Sequence, residues 1–275
     1  MDVAMRPLTV RVGCEFKHSI SATVPAIFLI RPKGSLDVQV IHETWTATPH
    51  APYHDYVDLY GNICRRMNLP PGDSTITYDA TVVVQGNYDP YDYDAVQARV
   101  EDLPDDVLLF TLPSRYALSD ELTDKAWELF GSTAPGWARA QAISDFVHNH
   151  ITFGYGWSTP TTTSSDVFAA GKGVCRDFTH LMIAFCRAMN LPARYVFGYM
   201  PDLDVLPPYF EMDFCAWLEV FLDDKWWTFD PRNNTRRRAR IVIARGRDAL
   251  DVAMVTTYGS ATFLGMTVVA DDIPQ

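Results

Sequence analysis

Apolar residues along this chain recur with two different periods, and the change from one to the other divides it. In the first third they alternate with polar ones: Leu8 to Phe16 (LTVRVGCEF), Ala26 to Ile30, Asp37 to Thr46 (DVQVIHETWT) and Ser74 to Val84 (STITYDATVVV). Successive side chains on a strand point to opposite faces, so this alternation, rich in β-branched residues, predicts strands. Pro, Gly, Asn and Asp at the joins supply turns, and short strands so connected predict a β-sandwich. A polar, tyrosine-rich connection, Gly86 to Asp94 (GNYDPYDYD), follows. The pattern changes near residue 108, which separates a β-sandwich over 1–108 from a second region over 109–275.

Beyond that point the period lengthens to that of a helix. Ser119 or Asp120 caps a segment that runs to Phe130 and stops at Gly131. A second helix carries Trp137, Ala140, Ile143, Val147 and Ile151 on one face. Phe153 to Ser165 (FGYGWSTPTTTSS) reads as a loop. After Gly171-Lys172-Gly173-Val174, a helix starts at Cys175 and buries Phe178, Leu181, Met182, Phe185 and Met189, until Asn190-Leu191-Pro192 ends it. Alternation then returns in Ala193 to Tyr199, Phe214 to Leu222, Trp226 to Phe229 and Ile241 to Ala244, with closing strands near Val252 to Thr257 and Thr262 to Ala270. Helices followed by an antiparallel sheet make this region α+β.

Hydrophobic residues form 48% of the 275 positions, enough for a substantial core. No apolar run reaches the length of about 18 residues that spans a bilayer. The start, MDVAMRPLTV, lacks the layout of a secretory signal, so the expected location is cytoplasmic, with no membrane partner. The net charge of -11 disfavours nucleic acid as a partner. A local exception is the RRRAR run at 236–240, which reads as a solvated charged turn or as an attractor of a substrate carboxylate or phosphate. Five cysteines (14, 64, 175, 186 and 215) are odd in number and unevenly spaced, which suits reduced thiols rather than a disulfide framework.

Two of those cysteines carry chemistry. Cys175 sits at the start of a helix, where unpaired N–H groups and the helix dipole favour a thiolate and can hold an oxyanion. Local context leaves two readings open, a nucleophile and a buried small hydrophobe. Cys215 stands in the strand MDFCAWLEV. A two-residue turn at Asp223-Asp224 sets Leu222 opposite Lys225 and Trp217 opposite Asp230, so that Cys215, Trp217 and Asp230 share a face. An odd-length turn would send Asp230 to the other side.

The helix-start cysteine in GVCRDFTHLMIAFCRAMNLPARYVFGYM, the hairpin CAWLEVFLDDKWWTFDPRNN and the segment IARGRDALDVA, in this order, resemble the transglutaminase-like superfamily of papain-like thiol enzymes. The resemblance covers roughly residues 109–260, and the β-rich first third is similar to the domain that often precedes this core in bacterial members. It implies α+β architecture with a papain-like core, no cofactor, a nucleophile at Cys175 that attacks an amide or other acyl group, and a carboxylate at Asp230 that orients the base. The base itself is a histidine immediately before the Ala-Trp pair in the family, and here that position is Cys215.

A thiol cannot share a positive charge with Asp230 as imidazole does, so ordinary transglutaminase or protease activity is called into question. Three readings follow for a small-molecule or peptide substrate. In one, Cys175 remains an acyl-transfer nucleophile with Cys215 or water as a weak proton carrier. In another, Cys175 and Cys215 face each other across a substrate carbon and move protons, as in cofactor-independent epimerases. In the last, the core binds without catalysis, or the two thiols form a redox-sensitive disulfide. A metal held by Cys175, Cys215 and Asp230 lacks a fourth ligand and ranks last. Trp157 and Trp217 are the expected substrate contacts, with plain packing open for Trp157. His148, His150 and His180 are weak candidates for a substitute base, and the connection Met200 to Met212 (MPDLDVLPPYFEM) is expected to border the site.

Overall fold

The computed structural model describes residues 5–205 and 211–274. The alternation in the first third produces strands β1 (Leu8–Ile20), β2 (Val24–Phe28), β3 (Val38–Thr48), β4 (Tyr53–Val57), β5 (Ile63–Leu69) and β6 (Gly72–Val84). β1 and β6 pair antiparallel in a register that sets Val10 beside Val82, Val12 beside Ala80, Cys14 beside Tyr78 and Phe16 beside Ile76, all buried on one face. β4 and β5 lack a local signal. β4 is exposed throughout, and β5 places two adjacent arginines, Arg65 and Arg66, in its middle.

A short turn α1 (Asp105–Leu108) precedes α2 (Thr123–Phe130) and α3 (Trp137–His150). The stretch expected to be a loop as far as Ser165 ends earlier. α4 (Ser164–Ala170) starts on a reciprocal cap in which the Thr163 hydroxyl accepts from Asp166 N–H and the Asp166 carboxylate accepts from Thr163 N–H, and it stops at Gly171 with φ of 62°. Two-residue strands β7 (Thr152–Phe153) and β8 (Lys172–Gly173) pair in parallel on either side of it. α5 (Cys175–Ala188) packs on a sheet of order β11-β10-β9-β12, made of β9 (Ala193–Tyr199), β10 (Cys215–Leu222), β11 (Lys225–Phe229) and β12 (Ile241–Gly246). β10 and β11 are joined at Asp223 and Asp224, both at positive φ (50° and 56°), and Leu222 lies opposite Lys225 as expected.

The closing strands, grouped by sequence with residues 109–275, belong by hydrogen bonding to the sheets of the first third. β13 (Val255–Thr257) pairs with β2, and β14 (Ala261–Asp272) pairs with β1 from Val10↔Asp272 to Ile20↔Ala261. The sandwich is therefore two four-stranded sheets, β14-β1-β6-β3 and β13-β2-β5-β4, and the helical region is inserted between its strands. Long-range pairing of this kind leaves no trace in local periodicity. The core is continuous across both parts: Phe16 stacks on Phe214 at 6.2 Å, and the Tyr199 hydroxyl donates to Ile30 O at 2.9 Å.

Candidate active site

The start of α5 is fixed by its own third residue. The fully buried Asp177 accepts the Val174 N–H at 2.8 Å and the Ser158 hydroxyl at 3.0 Å, and Arg176 donates to the same carboxylate and to Ser158 and Thr159 O. Gly173 has no room for a side chain, because a Cβ there would lie 2.7 Å from the Asp177 Cβ. This packing sets Cys175 in the first turn of α5, half-buried, on the wall of a crevice.

The crevice has two lobes, of about 510 and 670 Å³, and Cys175, Cys215, Asp213 and Tyr155 line both. Phe153, Met200, Met212, Arg232 and Arg237 complete the first lobe. Tyr116, Tyr195, Phe197, Val252 and Met254 give the second an apolar wall. Of the connection expected to border the site, Met200, Asp202, Val205, Glu211 and Met212 do line the first lobe, and 206–210 lie outside the described residues.

Both sulfurs thus open onto one crevice, and neither is oxidised. Their electrostatics differ from the expectation of a helix-start thiolate. Burial pushes the Cys175 thiol up; a hydrogen bond from Ala216 N–H and the charge of Arg232 pull it back, while Asp213 and Asp230 raise it further. Desolvation is the largest of these contributions and opposes ionisation of the sulfur. Burial and the neighbouring Cys175 push Cys215 up much further, and its S–H donates to Asp213 O at 3.9 Å.

Asp230 is not among the residues that line either lobe, yet its charge acts on both sulfurs. It is buried, and Arg240 donates to Oδ2 at 3.0 Å and Asn233 donates from its side chain to Oδ2 at 2.8 Å and from its backbone to Oδ1 at 3.1 Å. It lines a separate pocket with Asp89, Tyr91, Trp137 and Asn234. Arg240, from the RRRAR run, also donates to Asp89 at 2.9 Å and lies 5.0 Å from the Trp217 ring. The run therefore serves mostly internal pairing: Arg238 bonds Asp204, and Arg236 bonds Asp89 O and lies over Tyr91.

The two tryptophans expected to contact substrate do not line the crevice. Trp217 is 1% exposed and supports the sheet beneath Arg240. Trp157 is exposed, packed on Gly154 and approached by Lys172 at 5.1 Å. Tyr155, two residues earlier in the same turn, reaches the crevice instead.

No histidine lines either lobe among the described residues. His180 is buried between Tyr116 and Tyr195 and accepts from Ala249 N–H at 3.1 Å; its pKa is driven well down by burial. His148 hydrogen-bonds Pro231 O and Arg232 O, and His150 hydrogen-bonds Phe168 O. A titratable group that the sequence reading passed over is Asp213, which stands two residues before β10 begins and lines both lobes. Burial raises its pKa; the Phe214 N–H and Arg232 oppose this only in part.

Residues 124–231 match the model of the transglutaminase-like superfamily. A cysteine-protease candidate from Cytophaga hutchinsonii superimposes with a TM-score of 0.87 at 27% identity, over 99% of this chain and 93% of that one. An uncharacterised protein of Mycobacterium tuberculosis is 28% identical over 246 residues, 81% of this chain and 77% of its own length. One from Mycobacterium leprae is 38% identical over 85 residues, which is 30% of each.

Proposed function

We propose that this chain, whose residues 124–231 match the transglutaminase-like superfamily, transfers or hydrolyses an acyl group through Cys175. The observation that carries this reading is the Cys175 sulfur in the first turn of α5, open to a two-lobed crevice and hydrogen-bonded by Ala216 N–H. The Cys175 sulfur attacks the substrate carbonyl, its proton passes to the Asp213 carboxylate, and the carbonyl oxygen becomes an oxyanion beside the N–H groups of the α5 start. The intermediate then collapses to a thioester and expels the leaving group, which takes the proton back. Water or a second acceptor cleaves the thioester and restores the thiol.

Cys215, whose thiol is kept protonated by burial, acts in this scheme as a neutral hydrogen-bond donor and not as a base. Without imidazole to protonate an amine, the reaction favours good leaving groups such as thiolates and phenolates over amides. Incubation with an aryl ester or thioester followed by intact-mass measurement tests this. The expected result is an acyl adduct that is lost in Cys175→Ala and still forms, more slowly, in Cys215→Ala. An adduct that survives Cys175→Ala, or none at all, rejects the proposal.

One observation favours a second reading. Both sulfurs line both lobes, and the unequal upward shifts make Cys175 the easier base and Cys215 the standing acid of a proton-transfer pair. On that reading solvent deuterium enters an α-carbon of the substrate with no acyl adduct.

A further inference from the structure

We infer that the first lobe of the crevice is an anion subsite in which Arg232 receives a carboxylate of the acyl substrate, while the apolar second lobe takes an uncharged portion. This deepens the acyl-transfer reading and rests on it for the word substrate, although the subsite itself is testable without any turnover.

The argument starts from what each arginine around the crevice does. Arg176 is committed to Asp177, Ser158 and Thr159 O, Arg240 to Asp89 and Asp230, and Arg237 donates to Pro201 O at 3.1 Å. The Arg232 guanidinium alone of these four makes no side-chain hydrogen bond or ion pair among the described residues. Its guanidinium carbon lies 4.1 Å from the Phe153 ring centre, a cation–π contact that occupies none of its N–H donors. An unpaired guanidinium in a concave site is a ready fork for a carboxylate, which it binds through two parallel hydrogen bonds.

Its position is central. Its charge acts on Cys175, Cys215, Asp213 and Tyr155, the four titratable groups that line both lobes. Opposing carboxylates are present but placed to interfere little. Asp202 and Glu211 are exposed at the mouth of the first lobe, where water screens them. Asp213 lies inside, where burial raises its pKa and the Arg232 charge opposes that rise. The backbone of Arg232 is pinned from behind by His148, which hydrogen-bonds its carbonyl at 3.1 Å, so the guanidinium is carried on a fixed stem.

Iodoacetate and iodoacetamide alkylate the same thiolate by the same displacement of iodide and differ in one carboxylate, so the ratio of their rates at Cys175 cancels any change in thiol pKa. The expected ratio exceeds that of glutathione, drops about tenfold in Arg232→Gln, and is largely kept in Arg232→Lys. In the unaltered protein the ratio also falls as salt is raised, a check that needs no variant to fold. A ratio equal to that of glutathione and insensitive to salt, or one unchanged in Arg232→Gln, overturns the subsite. If the ratio follows Arg232 and no acyl adduct ever forms on Cys175, the subsite stands and the acyl-transfer reading falls.

Discussion

Replacing Cys215 with histidine puts an imidazole beside Cys175 and asks how much catalysis the missing base accounts for. A positioned general base is worth about 10²- to 10⁴-fold, and an opposite charge within about 4–6 Å lowers a thiol pKa by about 1–3 units. The gain here should fall at the low end, because the carboxylate that would orient the ring is occupied. Asp230 already accepts two donors on Oδ2, from Arg240 and Asn233, and one on Oδ1, from the Asn233 backbone. A carboxylate has about four acceptor positions, so one on Oδ1 is left for an imidazole N–H. The larger ring must also fit a half-buried site, with an overpacking cost of about 1–3 kcal/mol. We expect Cys215→His to raise hydrolysis of an activated amide by about tenfold to a hundredfold and to move the pH midpoint of Cys175 alkylation down by about one unit or more. The assay is steady-state hydrolysis alongside an iodoacetamide pH profile, with Cys175→Ala in the same background as the blank. A folded variant with both quantities unmoved would show that residue 215 does not communicate with Cys175, and the reading of the crevice would fail with it.

Two predictions concern the scaffold. Glu219 is 6% exposed and accepts from Arg194 at 2.6 Å and from Arg245 at 2.8 Å, and these partners hold its pKa down against burial. Burial draws Arg194 down and Glu219 leaves Arg245 raised, so the carboxylate is the member that titrates in reach. Its contribution is complete above the unfolded carboxylate value of about 4.3 and is lost as pH falls through the lower folded value. Glu219→Gln leaves two half-buried cations without their carboxylate and should cost at most about 3–5 kcal/mol, a melting shift of up to about 10 °C; it should also flatten the acid limb of the urea midpoint between pH 7 and 3, and an unchanged limb would assign that limb elsewhere. Gly198 is the second case. A Cβ there would lie 2.3 Å from Ile241 O and 2.8 Å from the Trp217 ring, so Gly198→Ala should destabilise by about 1–3 kcal/mol and shift tryptophan fluorescence. Melting at the parent temperature would contradict it.

The readable parts of this protein were those whose signals are local. The β10–β11 hairpin could be registered from two aspartates that tolerate positive φ, and α5 from its apolar spacing and the Gly-Lys-Gly turn before it. α4 was missed although Thr163 and Asp166 stood at capping-box spacing, because the surrounding Thr, Ser and Pro residues dominated the stretch. At the site, the meeting of residues 175 and 215 followed from the family order. What each group does there did not, because desolvation and competition for partners arise only in three dimensions. The RRRAR run looked like a surface patch and instead supplies the arginine that occupies Asp230. Asp213 and Arg232 carried no mark that separates them from ordinary loop charges. They stand out once burial is seen to raise one and the other is found without a bonding partner.

The clasp of β14 on β1 has a consequence for how the polypeptide is made. A growing chain can form β1 against β6 soon after both leave the ribosome, yet the outer margin of β1 stays bare until residues 261–272 are translated. Throughout synthesis of the thiol-bearing insert, that margin is an open template on which a neighbouring nascent chain could zip. The insert must therefore settle before the seam is closed, and conditions that slow its folding should send this protein into strand-exchanged aggregates rather than leave it merely inactive.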